Sequence, residues 1–245
     1  MAKNKKQKLP EKKTNMTWVY AGVAIIVIAA LAVYFYSGSS PGNNTDANLS
    51  TGNNTVEKLP SAGKYGTLNK PSTYEPGKVK MTEFLKFNCG HCYTLNQQLP
   101  AIKKKYGDRL EITYRPMLWR NTAADKGFDK SIEAYILAER MGKGEEMKDA
   151  LFKALWVDKR DLTSEITLGE IGKSVGLGDD FITALKNGDE KDEAEANIND
   201  AVSFQVDYTP TVIINGNLKV NPSMTNEDMT LMTSNLDTII GSLLS

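Results

Sequence analysis

The chain has 245 residues, and its 40% hydrophobic and 24% charged residues suffice for a folded core, which excludes wholesale disorder. Its 30 Lys and Arg balance 30 Asp and Glu, which argues against a protein that binds nucleic acid. Two Cys and one His exclude a disulfide-stapled scaffold, a zinc site with four ligands drawn from these residues alone, and any site that needs two His.

The N-terminus combines a basic segment with an apolar one. Residues 1–17 contain six Lys and one Glu, a net charge of +5, so the rest of the chain carries −5. Residues 18–36 are apolar or aromatic apart from Gly22. As a helix they would span about 28 Å, close to the thickness of the hydrocarbon core of a bilayer. The sequence therefore predicts one N-terminal transmembrane helix.

A secretory signal peptide has a similar pattern, so two interpretations of residues 18–36 compete. The segment is longer than the apolar region of about 7–15 residues in a signal peptide, and aromatic residues flank both of its ends. These features favour an uncleaved anchor, although the small residues at 37–39 leave cleavage open. We predict a single-pass protein of the cell membrane with a cytoplasmic N-terminus and an extracytoplasmic main domain, where disulfides persist.

Residues 37–63 are rich in Ser, Gly, Asn, Thr and Pro, a composition that predicts a flexible linker. A globular pattern follows over residues 64–245. Strands are predicted over 79–87 and 111–118, with a helix between them over 92–106 that Pro100 would kink. This order predicts a β-α-β unit.

The second half of the domain is predominantly helical. Residues from about 120 to 204 show apolar residues at helical spacing, with glycines that predict the ends of several helices. Strands are predicted over 211–215 and 218–220, joined by a turn around Gly216, and a last helix over 226–244. The sequence thus predicts an α/β domain interrupted by an all-helical insertion.

Both cysteines and the only histidine lie in the segment Cys89-Gly90-His91-Cys92. Two Cys at positions i and i+3 of a helical turn can form a disulfide. If Cys89 lies at the start of the helix, the free N–H groups there stabilise its thiolate, and His91 can add to this effect. Cys92, one turn further on, would then be the resolving thiol.

Other interpretations of this Cys pair are weaker. Half of a zinc site would need a second pair of ligands that the sequence does not contain. An inert disulfide would close a very short loop and stabilise the fold little. We therefore predict a redox-active disulfide between Cys89 and Cys92, with no other cofactor and no metal.

From about residue 65 to 245 the chain resembles the DsbA family of thiol–disulfide oxidoreductases. The resemblance includes residues 65–71 before the first central strand, Glu83-Phe84, the motif 89–93, Thr209-Pro210, and the segments 214–216 and 220–222. It implies a thioredoxin-like fold with an inserted helical domain. It also implies a protein disulfide oxidoreductase that introduces disulfide bonds into exported, cysteine-containing polypeptides.

The resemblance assigns roles to individual residues. It implies that Cys89 and Cys92 exchange disulfides, that Gly90 and His91 tune the redox potential, and that Pro210 is a cis-proline. Thr209 would then pair with an extended substrate segment by strand addition. Glu83 matches a buried acid that relays protons to the inner thiol; alternatively, it is a strand-edge glutamate paired with Lys86 or Arg115.

Two residues depart from the best-known members of the family. The dipeptide between the cysteines is Gly-His rather than Pro-His, and residue 209 is Thr rather than Val. Both positions bear on the redox potential, so a disulfide isomerase or reductase of the same fold, or a peptide-binding chaperone module, remain alternatives to an oxidase. A monomer is expected, with a quinone-linked membrane reoxidant of the DsbB or vitamin K epoxide reductase type as its partner.

Overall fold

The computed structural model of the protein describes residues 58–120 and 122–245. The predicted membrane anchor therefore lies outside the described residues, and none of the helices within them is long and apolar enough to cross a membrane. The described residues contain a five-stranded sheet, whose strands are β1 (Gly66–Thr67), β2 (Val79–Leu85), β3 (Leu110–Pro116), β4 (Thr211–Ile214) and β5 (Leu218–Val220).

The strand order in the sheet is β1-β5-β4-β2-β3, which places β2 between β4 and β3. β2 runs parallel to β3 and antiparallel to β4, and β5 pairs antiparallel with both β4 and β1. The segment Cys89–Cys92 begins shortly after the end of β2, and the pairing of β2 with a strand on each side fixes where this segment starts. Within the part of the chain that the structure describes, seven α-helices accompany the sheet: α1 (Gly90–Tyr106), α2 (Asp129–Arg140), α3 (Gly144–Trp156), α4 (Glu165–Ser174), α5 (Asp179–Asn187), α6 (Lys191–Ser203) and α7 (Met229–Leu244).

Helices α2 to α6 are inserted between β3 and β4, in the part of the chain where the sequence predicts a helical insertion. Alternate side chains of a strand point to opposite faces, and the two faces of β2 meet different helices. The ring of Phe84 packs against Phe204, just after α6, with 5.5 Å between the ring centroids. Glu83 and its neighbour Tyr114 on β3 point to the other face, where Lys148 of α3 lies over the Tyr114 ring.

Some strands and helices begin or end at other residues than predicted, and local geometry explains these differences. β2 ends at Leu85 rather than at residue 87, because the Cys89 N–H donates to the Lys86 carbonyl and closes a turn. The last helix begins at Met229 rather than at 226, because Asn226 and Glu227 adopt left-handed backbone conformations that a helix does not accept. Pro100 lies within α1, which continues past it to Tyr106.

The last part of the predicted linker, 37–63, belongs to the folded domain. The backbone N–H of Ser61 donates to the Ser242 hydroxyl at 2.7 Å, and the backbone of Lys64 exchanges hydrogen bonds with the Asn235 side chain of α7. The predicted linker therefore extends too far. The composition alone does not reveal this, because the contacts depend on where the end of α7 lies and involve backbone groups that every sequence offers.

Candidate active site

Cys89 is the residue that caps the N-terminus of α1. Its backbone is extended, with φ of −102° and ψ of 121°, and its sulfur accepts a hydrogen bond from the Cys92 N–H at 3.4 Å. The first turn of α1 contains no acidic residue that would oppose a negative charge at this position. The unpaired N–H groups of the helix therefore converge on the Cys89 sulfur, as the sequence predicts.

Cys89 is poised to ionise. The Cys92 thiol donates to its sulfur and outweighs the opposing effect of burial, and the Thr209 hydroxyl and the backbone N–H groups of Cys92 and His91 act in the same direction. Together these groups lower the pKa of Cys89 from 9.0 to about 5. Since Cys89 is also partly exposed, it is a thiolate accessible to other proteins at neutral pH.

Cys92 is the chemical opposite of Cys89. It is fully buried, and this burial, together with the hydrogen bond to Cys89 and the charges of Cys89 and Glu83, raises its pKa well above 9.0. The backbone N–H of Lys86 lies 3.5 Å from its sulfur. Both cysteines are free thiols in this structure, which is therefore the dithiol form. The pair therefore combines a partly exposed thiol of low pKa with a buried thiol of high pKa.

Gly90 and His91 occupy the first turn of α1. A Cβ atom at Gly90 would lie at an ordinary contact distance of 3.5 Å from the Trp156 ring of α3, so the helical insertion lies close to the cysteines here. His91 is half-buried, and its backbone N–H contributes to the stabilisation of the Cys89 thiolate. The tuning role of the two side chains stays a prediction.

The segment before β4 lies beside the exposed cysteine. The peptide bond between Thr209 and Pro210 is cis, and the Cys89 thiol donates to the Thr209 carbonyl at 3.2 Å. The Thr209 hydroxyl stabilises the thiolate, so Thr209 contacts Cys89 in both of its protonation states. Thr211, which begins β4, pairs with Phe84 of β2 and fixes this segment to the sheet.

Glu83 lies on β2 between β3 and β4 and is only 1% exposed. Burial, and to a smaller extent the Cys89 and Glu145 charges, outweigh the opposing charge of Lys148 and raise its pKa to about 8. A carboxyl group with this pKa both holds and releases a proton near neutral pH, as a relay to Cys92 requires.

The alternative interpretation of Glu83 as a strand-edge residue paired with Lys86 or Arg115 is wrong. Lys86 forms an ion pair with Asp125 at 2.6 Å. Arg115 follows Tyr114 in β3, so its side chain points to the opposite face, where it contacts Asp200 of α6. The partners of Glu83 are decided by strand register, which the sequence alone does not give.

Several residues of the helical insertion reach the active site without a sequence signal. The Trp156 indole donates to the Phe87 carbonyl at 2.8 Å and stacks on the Tyr93 ring with 5.8 Å between centroids. The Asn88 side chain, next to Cys89, donates to the Asp125 carboxylate at 2.9 Å. These contacts join residues far apart in the chain. The sequence shows only that the residues are aromatic, polar or charged, so it does not predict the contacts.

Comparison with known proteins identifies the fold and the family. The chain is 24% identical over 171 residues to the thiol:disulfide interchange protein DsbA of Burkholderia cepacia, covering 68% of this chain and 78% of that protein. It superimposes on the crystal structure of the oxidoreductase DsbA from Xylella fastidiosa with a TM-score of 0.60 and 20% identity, covering 75% of this chain and 97% of that one. For DsbA of Pseudomonas aeruginosa the TM-score is 0.57, with 19% identity and coverage of 71% and 89%.

The fold is therefore thioredoxin-like with additional helices, as the sequence predicts. The profile of the DsbA-like thioredoxin domain matches residues 80–237, a range that contains the cysteine pair, the helical insertion and the cis-proline. With this match over most of its length, the chain belongs to the family of DsbA-like thioredoxin domains.

Proposed function

We propose that the protein introduces disulfide bonds into exported polypeptides, with the Cys89–Cys92 disulfide as the oxidant. Its membership of the DsbA-like family makes it a thiol–disulfide oxidoreductase that works through a redox-active disulfide. The direction of the reaction is inferred from the environment of Cys89, which lowers the pKa of this residue to about 5. A stabilised thiolate favours the reduced protein, so the oxidised protein readily transfers its disulfide to a substrate.

The reaction consists of two exchanges. A substrate thiolate attacks the Cys89 sulfur, the bond to Cys92 breaks, and Cys92 leaves with the electron pair and takes up a proton. A second substrate thiolate then attacks the substrate sulfur of the mixed disulfide, and Cys89 leaves as a thiolate. The substrate loses two electrons to the protein. Because a thiolate of low pKa is a good leaving group, Cys89 favours the release of oxidised substrate.

Substrate binding is proposed at the segment around the cis-proline. The Thr209 backbone lies against Cys89, at the position where an extended polypeptide has to place its own cysteine. Tyr208 is 42% exposed and adds an apolar surface there, which suits an unfolded segment. Recognition of backbone rather than of particular side chains fits a protein that oxidises many different chains.

The direction of the reaction is tested by measuring the reduction potential of the Cys89–Cys92 pair. The protein is equilibrated with glutathione buffers, quenched with acid and analysed by mass. An oxidase requires a potential above about −200 mV, whereas a reductase would lie near the roughly −270 mV of thioredoxin. An oxidase also forms the disulfide in a reduced, unfolded substrate protein. Cys89→Ser removes that activity, whereas a chaperone module would keep its capacity to hold unfolded protein in Cys89→Ala.

We propose that this reaction takes place on the outer side of a membrane. The support comes from the sequence of residues 1–36, whose basic start and long apolar segment are typical of an anchor with a cytoplasmic N-terminus. A membrane-bound, quinone-linked reoxidant would then be close enough to restore the Cys89–Cys92 disulfide after each turnover. Alkaline washing of membranes tests the anchor: the full chain should stay with the membrane, and a chain without residues 1–36 should not.

A further inference from the structure

The segment 205–209, between α6 and β4, approaches Cys89 without belonging to a helix or a strand. The backbone N–H groups of Asp207, Tyr208 and Thr209 donate no hydrogen bond to any residue that the structure describes. Donors without a protein partner are stable only where water reaches them. The segment therefore offers free backbone groups with which an extended polypeptide can pair.

One lysine of the sheet holds the first half of this segment. The Lys219 ammonium group donates to the Gln205 carbonyl and to the Asp207 carboxylate, the latter at 2.6 Å. Lys219 is the middle residue of β5, and only 12% of its side chain is exposed. We call Lys219 and these two bonds the clamp. It attaches the segment on both sides of Val206 to a strand whose position the sheet fixes.

A second side chain, just after β5, supports the same carboxylate. The Asn221 amide donates to Asp207 at 3.3 Å, and Asn221 is only 3% exposed. Its own carbonyl accepts from the Ser223 hydroxyl at 2.6 Å, which fixes the orientation of the amide. The Asp207 carboxylate is therefore held by two side chains of fixed position, although 63% of its own side chain is exposed.

The second half of the segment has anchors of its own. The Tyr208 carbonyl accepts from the hydroxyl of Thr211, the first residue of β4, at 2.8 Å. The Thr209 carbonyl lies 3.2 Å from the Cys89 sulfur. Without the clamp, the first half of the segment loses its anchors, whereas the contact between Thr209 and Cys89 remains.

We infer that Lys219 is a positioning residue for polypeptide substrates, which holds residues 205–207 in the conformation that an extended substrate pairs with. The inference rests on the proposed function and adds to it a selectivity for extended polypeptides over small thiols. A small thiol needs only Cys89, whereas a polypeptide also pairs with the residues before Thr209. Because the clamp orders these residues in the free protein, their conformational entropy is not lost on binding.

The test compares two dithiols that undergo the same two exchanges with the oxidised protein. One is a reduced, unstructured peptide with two cysteines, and the other is dithiothreitol, which has no backbone to pair. In both reactions the dithiol becomes a disulfide and the Cys89–Cys92 disulfide becomes two thiols. Acid quenching and mass analysis follow the reduced protein at increasing dithiol concentrations. The half-saturating peptide concentration and the limiting rate then separate binding from chemistry.

We expect Lys219→Met to raise the half-saturating peptide concentration roughly tenfold, which corresponds to ordering about one more residue on binding. The limiting rate, the rate with dithiothreitol and the reduction potential should stay the same, because Thr209 keeps its contact with Cys89. Lys219→Arg keeps a cation with several donors and should restore most of the affinity for the peptide. An unchanged half-saturating concentration in Lys219→Met, or equal slowing with both dithiols, would overturn the inference.

Lys130→Met is the matched control. Lys130 also donates to one carboxylate and one backbone carbonyl, those of Glu133 and Leu185, each at 3.0 Å, but it lies in the helical insertion. Its side chain is 23% exposed, so its removal is a comparable test of stability. Lys130→Met should leave the half-saturating peptide concentration unchanged. The same increase in this variant would assign the effect to stability and count against the clamp.

Asp207→Ala keeps the test decisive if Lys219→Met does not fold, because the Asp207 side chain is largely exposed. It removes a partner of both Lys219 and Asn221 and should also raise the half-saturating peptide concentration; no increase would contradict the clamp. Where both variants fold, their combined effect should be smaller than the product of the two, since they share one contact. Failure of the proposed function looks different: the reduction potential is low, while Lys219→Met still affects the peptide more than dithiothreitol.

Discussion

At the scale of single residues, the Cys89 thiolate is stabilised mainly by its partner Cys92. The thiol of Cys92 is the largest of the influences that lower the pKa of Cys89 to about 5. Cys92→Ala removes this donor, and we expect the pKa of Cys89 to rise by roughly one to two pH units, the value of one hydrogen bond to a charged group. Titration of the thiolate by its ultraviolet absorbance measures this pKa.

The rise should leave the pKa of Cys89 below 9.0, because the backbone N–H groups of α1 and the Thr209 hydroxyl remain in Cys92→Ala. Cys89→Ser serves as the control, since Cys92 alone should not titrate at neutral pH. An unchanged midpoint in Cys92→Ala would mean that the helix N-terminus alone stabilises the thiolate.

The sequence predicts the redox role of the two cysteines and their order of reaction, because an i, i+3 pair at a helix start leaves few alternatives. It does not identify Lys219 or Asn221. Lys219 becomes relevant only through the register of β5 with β4, and Asn221 only through its contact with Asp207. Register and loop packing depend on the whole core, so no local pattern reveals them.

At the scale of elements, the helical insertion is attached to the active-site segment by buried polar contacts. Asp125 accepts from Lys86, Asn88 and the backbone N–H of Trp119, and these donors outweigh its burial and lower the pKa of Asp125. We expect Asp125→Asn to lower the free energy of unfolding by about 3 kcal/mol, because it leaves the buried Lys86 charge without a partner. Urea unfolding at neutral pH measures this loss.

The pH dependence of that loss has a definite sign. A carboxyl group with a lowered folded pKa contributes stability above its unfolded pKa of about 3.9, and this contribution disappears as the pH falls through the folded value. The difference between the unchanged protein and Asp125→Asn should therefore shrink in acid. Glu170→Gln is the control: it breaks the exposed pair with Arg160 and should cost less than about 1 kcal/mol.

The elements themselves were largely predictable, because helical spacing and strand runs are strong over 129–204 and around β2 and β4. The errors concern their ends. The glycine pattern predicts helix ends at Gly144 and Gly178, whereas Gly144 begins α3 and Gly178 directly precedes α5. Glycine interrupts a periodic pattern on either side of a boundary, so composition does not tell which helix it belongs to.

At the scale of the whole molecule, the two redox states must differ in stability. The Cys89 thiolate exists only in the reduced protein, and its folded pKa of about 5 lies below its unfolded value of 9.0. Such a group adds stability that is complete above the unfolded pKa and is lost as the pH falls to the folded one. We expect the reduced form to melt at a higher temperature than the oxidised form at pH 7, by an amount that decreases toward pH 5.

Glu83 acts in the opposite direction, because its raised pKa costs stability as the pH rises from its unfolded value toward about 8. It is present in both redox states, so comparing the two melting temperatures at each pH removes most of its effect. Cys89→Ser should melt at the same temperature with and without reductant. An oxidised protein that melts above the reduced one would contradict a strongly oxidising disulfide.

The contacts of Trp156 also allow its fluorescence to report the redox state of the cysteine pair. Its indole is stacked on Tyr93 and packed against Gly90. Gly90 belongs to the turn that separates the two cysteines. Disulfides quench the fluorescence of nearby indoles more strongly than thiols do, so the emission of Trp156 should change whenever the cysteine pair is oxidised or reduced. Each turnover can thus be followed in real time without any added label.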